Sequence, residues 1–185
     1  MTTELLNTLT NLYDELGHMR YGEDVSQSQH AMQCAELAIK DGASEALIIA
    51  ALLHDIGHLL EQTSIAYGNY RHDKLGAEYL SHWLPPEVTE PIRLHAQAKR
   101  YLCATVPNYY ETLSAASKDS LANQGGVMSN LECLSFEKET YFKQAVQLRR
   151  WDDEGKDITL SHENFSGYLQ HLQNVVPTNQ RDNIV

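Results

Sequence analysis

Six side chains of metal-ligand type stand out along this chain: His30, the adjacent pair His54 and Asp55, then His72, His95 and Asp152. The adjacent pair sits inside the apolar run LLHDIGHLL. An ionised carboxylate is expensive to bury there unless a cation or hydrogen-bond donors compensate it. Neutral imidazole with carboxylate is a ligand set for a divalent metal such as iron, manganese or zinc. Any one histidine is more often a core or surface residue than a ligand, but packing gives no reason for an acid in this run. The six residues point to a metalloprotein, and to an enzyme.

Other residues could serve a substrate. His58 stands one helical turn from His54, and Lys99 one turn from His95. A lysine there sets a cation beside a ligand, suited to an anionic group. Arg149 precedes Asp152 by three positions and offers a planar fork, although an ordinary charged helix end reads the same way. Glu23 and Asp24 form an acidic turn that is either solvated or attractive to a cation. Tyr21, Tyr67 or Tyr70 could present a ring face to a quaternary ammonium. His18, His82, His162 and His171 lack suitable neighbours.

Helices must position these residues. Leu5, Leu6, Leu9, Leu12, Tyr13 and Leu16 recur at helical spacing and predict a first amphipathic helix. A loop, HMRYGEDVSQS, leads to a helix over about 29–39. Ser44 is placed to cap a third, running unbroken through ALIIAALLHDIGHLL and apolar nearly all round, hence central. TSIAYGNY reads as a loop. Helices then follow over 72–83, stopped by Pro85-Pro86, over about 88–101, and over 113–121. One long helix is expected over 130–150, with WDDEGKD as a loop after it, then a terminal helix over 162–175. Residues 1–176 are read as a single domain with a tail over 177–185, and the fold class as all-α.

Composition narrows the class. The chain has 185 residues, 42% of them apolar, enough for one substantial core. No apolar run approaches the roughly 20 residues of a membrane span, and the first residues lack a signal-peptide pattern. Three scattered cysteines fit a reducing, cytoplasmic setting rather than a disulfide framework. A net charge of −11 disfavours nucleic acid as a partner. It leaves room for a small anionic substrate, since focused cations in a pocket outweigh a diffuse negative surface.

The order H…HD…H…H…D resembles the HD-domain superfamily, whose members are helical and bind one or two metals. The runs GEDVSQSQHAMQCA, LLHDIGH, HDKLGAEYL, HAQAKRY, ASKDSLANQGGVM and RRWDDEGK are similar to its branch of mixed-valent di-iron oxygenases. That branch cleaves the carbon–phosphorus bond of 2-amino-1-hydroxyethylphosphonate or of the N-trimethylated analogue. The resemblance implies a helical bundle with a dinuclear site in its core, two iron ions and dioxygen as cosubstrate. It implies phosphate and glycine or glycine betaine as products. His30, His54, Asp55 and Asp152 would hold one iron, and His72 and His95 the other, with Asp55 bridging. His58, Lys99, Ser117 and Arg149 would bind the phosphonate. Glu23, with Asp55 the expected catalytic pair, would meet the hydroxyl or amine end, and Asp24 would assist there. The branch has a tyrosine three residues before the glutamate. Here Arg20 occupies that position and Tyr21 stands two before Glu23, which leaves a metal-gating tyrosine unassigned. The same ligands would also serve a phosphohydrolase acting on a nucleotide or phosphomonoester with metal-bound water as nucleophile, or a non-catalytic HD-like module.

Overall fold

The computed structural model describes residues 2–61, 68–160 and 165–176. They form eleven α-helices and no strand: α1 Thr2–Leu16, α2 Gln27–Lys40, α3 Glu45–Leu53, α4 Ile56–Leu60, α5 His72–Leu80, α6 Pro86–Thr105, α7 Tyr109–Thr112, α8 Ala115–Asn123, α9 Asn130–Phe136, α10 Phe142–Glu154 and α11 Leu169–Val175. A short 3-10 turn, Phe165–Tyr168, precedes α11. The all-α expectation is met. Residues 62–67, with Tyr67, and the tail over 177–185 lie outside the described residues.

Local chemistry starts the helices that carry the site. Ser26 and Gln29 form a capping box at α2: Ser26 Oγ accepts from the Gln29 amide, and Gln29 Oε1 from the Ser26 amide. Ser44 caps α3 as expected, accepting from the Leu47 amide at 3.3 Å. Pro86 opens α6, where its missing N–H costs nothing. α6 is the long spine, packed against α3, α5 and α10.

The central helix expected through LLHDIGHLL is broken. α3 ends at Leu53, Asp55 leaves the helical region with φ −98° and ψ 6°, and α4 begins at Ile56. The break turns the Asp55 carboxylate toward α5. It also lets α4 cross α5 at backbone distance: a Cβ on Gly57 would lie 2.1 Å from the His72 carbonyl oxygen.

The helix expected over 130–150 is likewise two. Phe136 and Phe142 both pack on Tyr101, with ring centroids 5.6 and 5.1 Å away. Residues six apart on one helix point about 240° apart, since each advances about 100°, so both reach Tyr101 only because the chain turns between α9 and α10. At its other end α10 runs on to Glu154. Asp152 therefore lies in a helix and not in the expected loop, on the same face as Arg149.

One large buried cluster runs through Leu9, Ala35, Ile49, Leu53, Leu80, Ile92 and Leu148, with a smaller one around Leu94, Phe136 and Ala145. No helix among the described residues is long and apolar enough to cross a membrane.

Candidate metal centre

α2, the α3–α4 break, α5, α6 and α10 bring His30, His54, Asp55, His72, His95 and Asp152 to one place. The four histidines share one arrangement. His30 Nδ1 donates to the Gly155 carbonyl (2.8 Å), His54 Nδ1 to Ala51 (2.9 Å), His72 Nδ1 to Asn69 (2.6 Å) and His95 Nδ1 to Ile92 (2.7 Å). A carbonyl can only accept, so each Nδ1 carries a proton and each neutral ring turns a bare Nε2 inward. Such main-chain partners are how metal-ligating imidazoles are aimed.

The inward nitrogens meet in pairs. His30 Nε2 lies 3.2 Å from His54 Nε2, and His72 Nε2 lies 3.0 Å from His95 Nε2. Two lone pairs at that distance repel unless a proton or a cation sits between them. Asp55 stands between the pairs: Oδ1 is 3.5 Å from His54, 3.4 Å from His72 and 3.8 Å from His95, and Oδ2 is 3.6 Å from His30. Asp152 Oδ1 faces His30 at 3.3 Å and His54 at 3.9 Å. Two nitrogen pairs around a shared carboxylate, with a second carboxylate on one side, form a His/Asp metal-binding cluster.

Its electrostatics in the metal-free state agree. Burial opposes charge on Asp55, but His54 and His72 outweigh it and hold the carboxyl below its usual range. Burial likewise opposes charge on His54, yet Asp55 and Asp152 raise its pKa to about 9. His95 is pushed well down, by burial and then by its imidazole neighbours.

Two further donors crowd the centre. Asp55, His58 and His72 place ligand atoms within 4.8 Å of one another, as do His30, Cys34 and His54. His58 stacks on His72 at 4.0 Å, and its Nδ1 accepts from the Asn69 amide at 3.0 Å. Burial, then the neighbouring His72 imidazole, depresses its pKa to about 3. His58 is thus neutral with its proton on Nε2, a donor rather than a ligand. Cys34 lies one turn behind His30 and donates to the Trp151 carbonyl at 3.4 Å. Burial, then Asp152, raises its thiol well above the usual range, and a protonated thiol is a poor ligand.

A cavity of about 50 Å³ opens on the centre, lined among others by Tyr21, Glu23, His30, Asp55, His58, Lys99, Ser117, Arg149, Asp152 and Lys156. Lys99 is only 2% exposed and donates to Ser120 Oγ. Burial, then the Arg149 charge, lowers its pKa to about 7. Arg149 Nη1 donates to Asp152 Oδ2 at 2.7 Å and Nη2 to Ser117 Oγ at 3.2 Å. Glu23 Oε1 accepts from Ser114 Oγ at 2.6 Å and Lys156 Nζ at 2.8 Å.

Asp24 is not brought to this cavity. Its side chain is exposed, and its carbonyl is bound by Arg20 Nη1 at 2.8 Å, because the turn that carries Glu23 inward points its neighbour out. Tyr70 also turns away, donating to Asp119 Oδ2 at 2.7 Å. Tyr21 lines the cavity from a left-handed backbone position (φ 41°). Its hydroxyl donates to the His58 carbonyl at 2.8 Å, so it is committed to the main chain. Lys156 carries no ligand-type spacing in the sequence, although it closes the run RRWDDEGK. Its signal was a lysine directly after the helix-ending Gly155.

A family model for the HD domain matches residues 28–121. The hydroxymethylphosphonate dioxygenase of Gimesia maris is 39% identical over 180 residues, covering 91% of this chain and 90% of that protein. The glycine-betaine-forming [1-hydroxy-2-(trimethylamino)ethyl]phosphonate dioxygenase of Leisingera caerulea is 35% identical over 181 residues, covering 93% and 90%. An uncharacterised protein of Acanthamoeba polyphaga mimivirus is 36% identical over 163 residues, covering 84% and 74%. With that match, these identities and the His/Asp cluster in its helical core, the chain belongs to the HD-domain family.

Proposed function

We propose that this chain is a di-iron oxygenase that uses dioxygen to cleave the carbon–phosphorus bond of a small 1-hydroxyphosphonate, with hydroxymethylphosphonate as the best-fitting substrate. Hydroxymethylphosphonate and one dioxygen balance to formate, phosphate and one proton. Relatives covering some nine-tenths of the chain are named for this kind of reaction. The observation that carries the reading is a pair of facing imidazole pairs around Asp55, opening onto a cavity with buried cations.

His30, His54, Asp55 and Asp152 would hold one iron and His72 and His95 the second, with Asp55 shared. A mixed-valent iron pair, when bound, supplies the one-electron chemistry and dioxygen activation that no side chain provides. The remaining work falls to the protein. Lys99 and Arg149 balance the phosphonate charge, and Ser117 and the His58 Nε2 proton offer further donors to its oxygens. Glu23 faces the same space and would accept the 1-hydroxyl proton. Lys156 and Ser114 hold that carboxylate in place. Held at both ends, the substrate presents one carbon at a fixed distance from the metals.

One feature favours the one-carbon substrate: Glu23 is already neutralised by Lys156. A second reading keeps 1-hydroxy-2-ammonioethylphosphonate, free or N-trimethylated, with glycine or glycine betaine as product. It is favoured by Glu23 in the cavity wall and requires Glu23 to leave Lys156. Phosphate release by iron-loaded protein in air, compared for the three hydroxyphosphonates and a phosphomonoester, tests the choice. The highest kcat/KM is expected with hydroxymethylphosphonate. A preference for either ammonio compound would favour the second reading, and turnover of the phosphomonoester alone would overturn both.

A further inference from the structure

Arg149 is gripped from behind by two residues that do not line the cavity. Its Nη2 donates to Asp153 Oδ1, and its Nε donates to the Tyr109 hydroxyl at 3.2 Å. Tyr109 in turn donates to Asp153 Oδ2. Both oxygens of Asp153 are therefore occupied, one by the guanidinium and one by the phenol that the guanidinium also touches. The ring closes across two helices: Asp153 lies one turn after Arg149 on α10, and Tyr109 opens α7 after the left-handed Asn108.

A guanidinium has few ways to sit when three of its edges are specified. Without the pair behind it, Arg149 would keep Asp152 as its only carboxylate partner. Charge-assisted hydrogen bonds to a carboxylate are strong. With Asp152 Oδ1 on the histidine side, Arg149 would turn further onto Oδ2 and draw its Nη2 donor away from the cavity.

We propose that Asp153 and Tyr109 are positioning residues that aim Arg149 at the phosphonate. The proposal rests on the phosphonate reading above. The plain alternative is an ion pair that only fastens α7 to α10, in which case its loss would change stability and leave ligand affinity alone.

The two are separated by titrating iron-loaded wild-type, Asp153→Asn and Tyr109→Phe protein with methylphosphonate, which has the phosphonate and lacks the reactive hydroxyl. Hydrogen bonds to charged groups give an expected weakening of roughly 10-fold in Kd for each variant, with KM for hydroxymethylphosphonate rising in step. kcat should stay within about 3-fold, and iron content should be unchanged, because neither side chain reaches the centre. Tyr109→Phe keeps the ring and serves if Asp153→Asn fails to fold. Unchanged affinity in the variants, with or without a lower melting temperature, would overturn the positioning role. Weakening that tracks iron loss would overturn it as well. Wild-type protein that binds no methylphosphonate would instead sink the phosphonate reading on which it rests.

Discussion

Each imidazole of the cluster depends on one main-chain carbonyl for its aim, and those carbonyls come from different places. Ala51, Asn69 and Ile92 each lie three residues before their histidines, whereas Gly155 comes from the end of α10, far from His30 in the sequence. The six ligand-type residues were legible in the sequence because His-Asp in an apolar run has no cheap explanation. The His30 tautomer was not, since it hangs on the Gly155 carbonyl, which only tertiary structure brings to it. His58 shows the limit: one-turn spacing tied it to His54, yet in the fold it stacks on His72. At this scale His95→Ala should halve the iron bound, from two equivalents to one, and abolish turnover; two equivalents retained would contradict the pairing. Lys99 makes a pH prediction. Its pKa is lowered toward about 7, so its charge is present below that pH and lost above it. KM for the phosphonate should climb as pH rises from 7 to 9, and Lys99→Arg, whose charge does not titrate in this range, should flatten the climb. A profile that is identical in wild type and Lys99→Arg would dismiss Lys99 as the titrating group.

Helix boundaries decide what these residues can reach. Continuous periodicity hid both breaks. The apolar run 46–60 carries no breaker at Asp55, and the turn between α9 and α10 is signalled only by the positions of Phe136 and Phe142. What did show was the Ser44 cap, because side-chain caps are local chemistry. Gly57 is the sharpest element-scale test. A methyl there would lie 2.1 Å from the His72 carbonyl oxygen, and main chain cannot step aside as a side chain can. Gly57→Ala should separate α4 from α5, destabilise the fold by about 1–3 kcal/mol and move His72 away from Asp55. Thermal unfolding and iron titration check it together: a stable variant that still takes up two irons would show the crossing to be looser than drawn. The end of α10 is clamped separately. Gln33 and Asp157 exchange two hydrogen bonds, at 2.8 and 2.9 Å, and so hold the Gly155 carbonyl against His30. Gln33→Ala should weaken iron retention at the His30 side, read as faster loss of one iron to a chelator, and an unchanged off-rate would rule the clamp out.

Across the whole molecule, a strongly acidic chain has gathered its useful cations in one cavity. Lys99, Arg149 and Lys156 line it with Glu23, Asp55 and Asp152, so cationic and anionic side chains face one another before any metal is added. Bound irons would tip that balance toward a dianion, although the chain as a whole carries a net charge of −11. The helical class and most of the cavity lining could be anticipated from residue types and resemblance. Asp24 could not be separated from Glu23, because adjacent residues of one turn point oppositely only once the turn exists. Lys156 and Tyr109 were hidden because their partners, Glu23 and Asp153, lie far from them in the sequence. What separates oxidative cleavage from metal-assisted hydrolysis on this shared ligand set is the fate of oxygen. Dioxygen uptake and phosphate release, followed together in one vessel of iron-loaded protein with hydroxymethylphosphonate, measure it directly. Oxidative cleavage predicts one dioxygen consumed per phosphate and no phosphate under anaerobic conditions; phosphate that appears at the same rate without oxygen would contradict it.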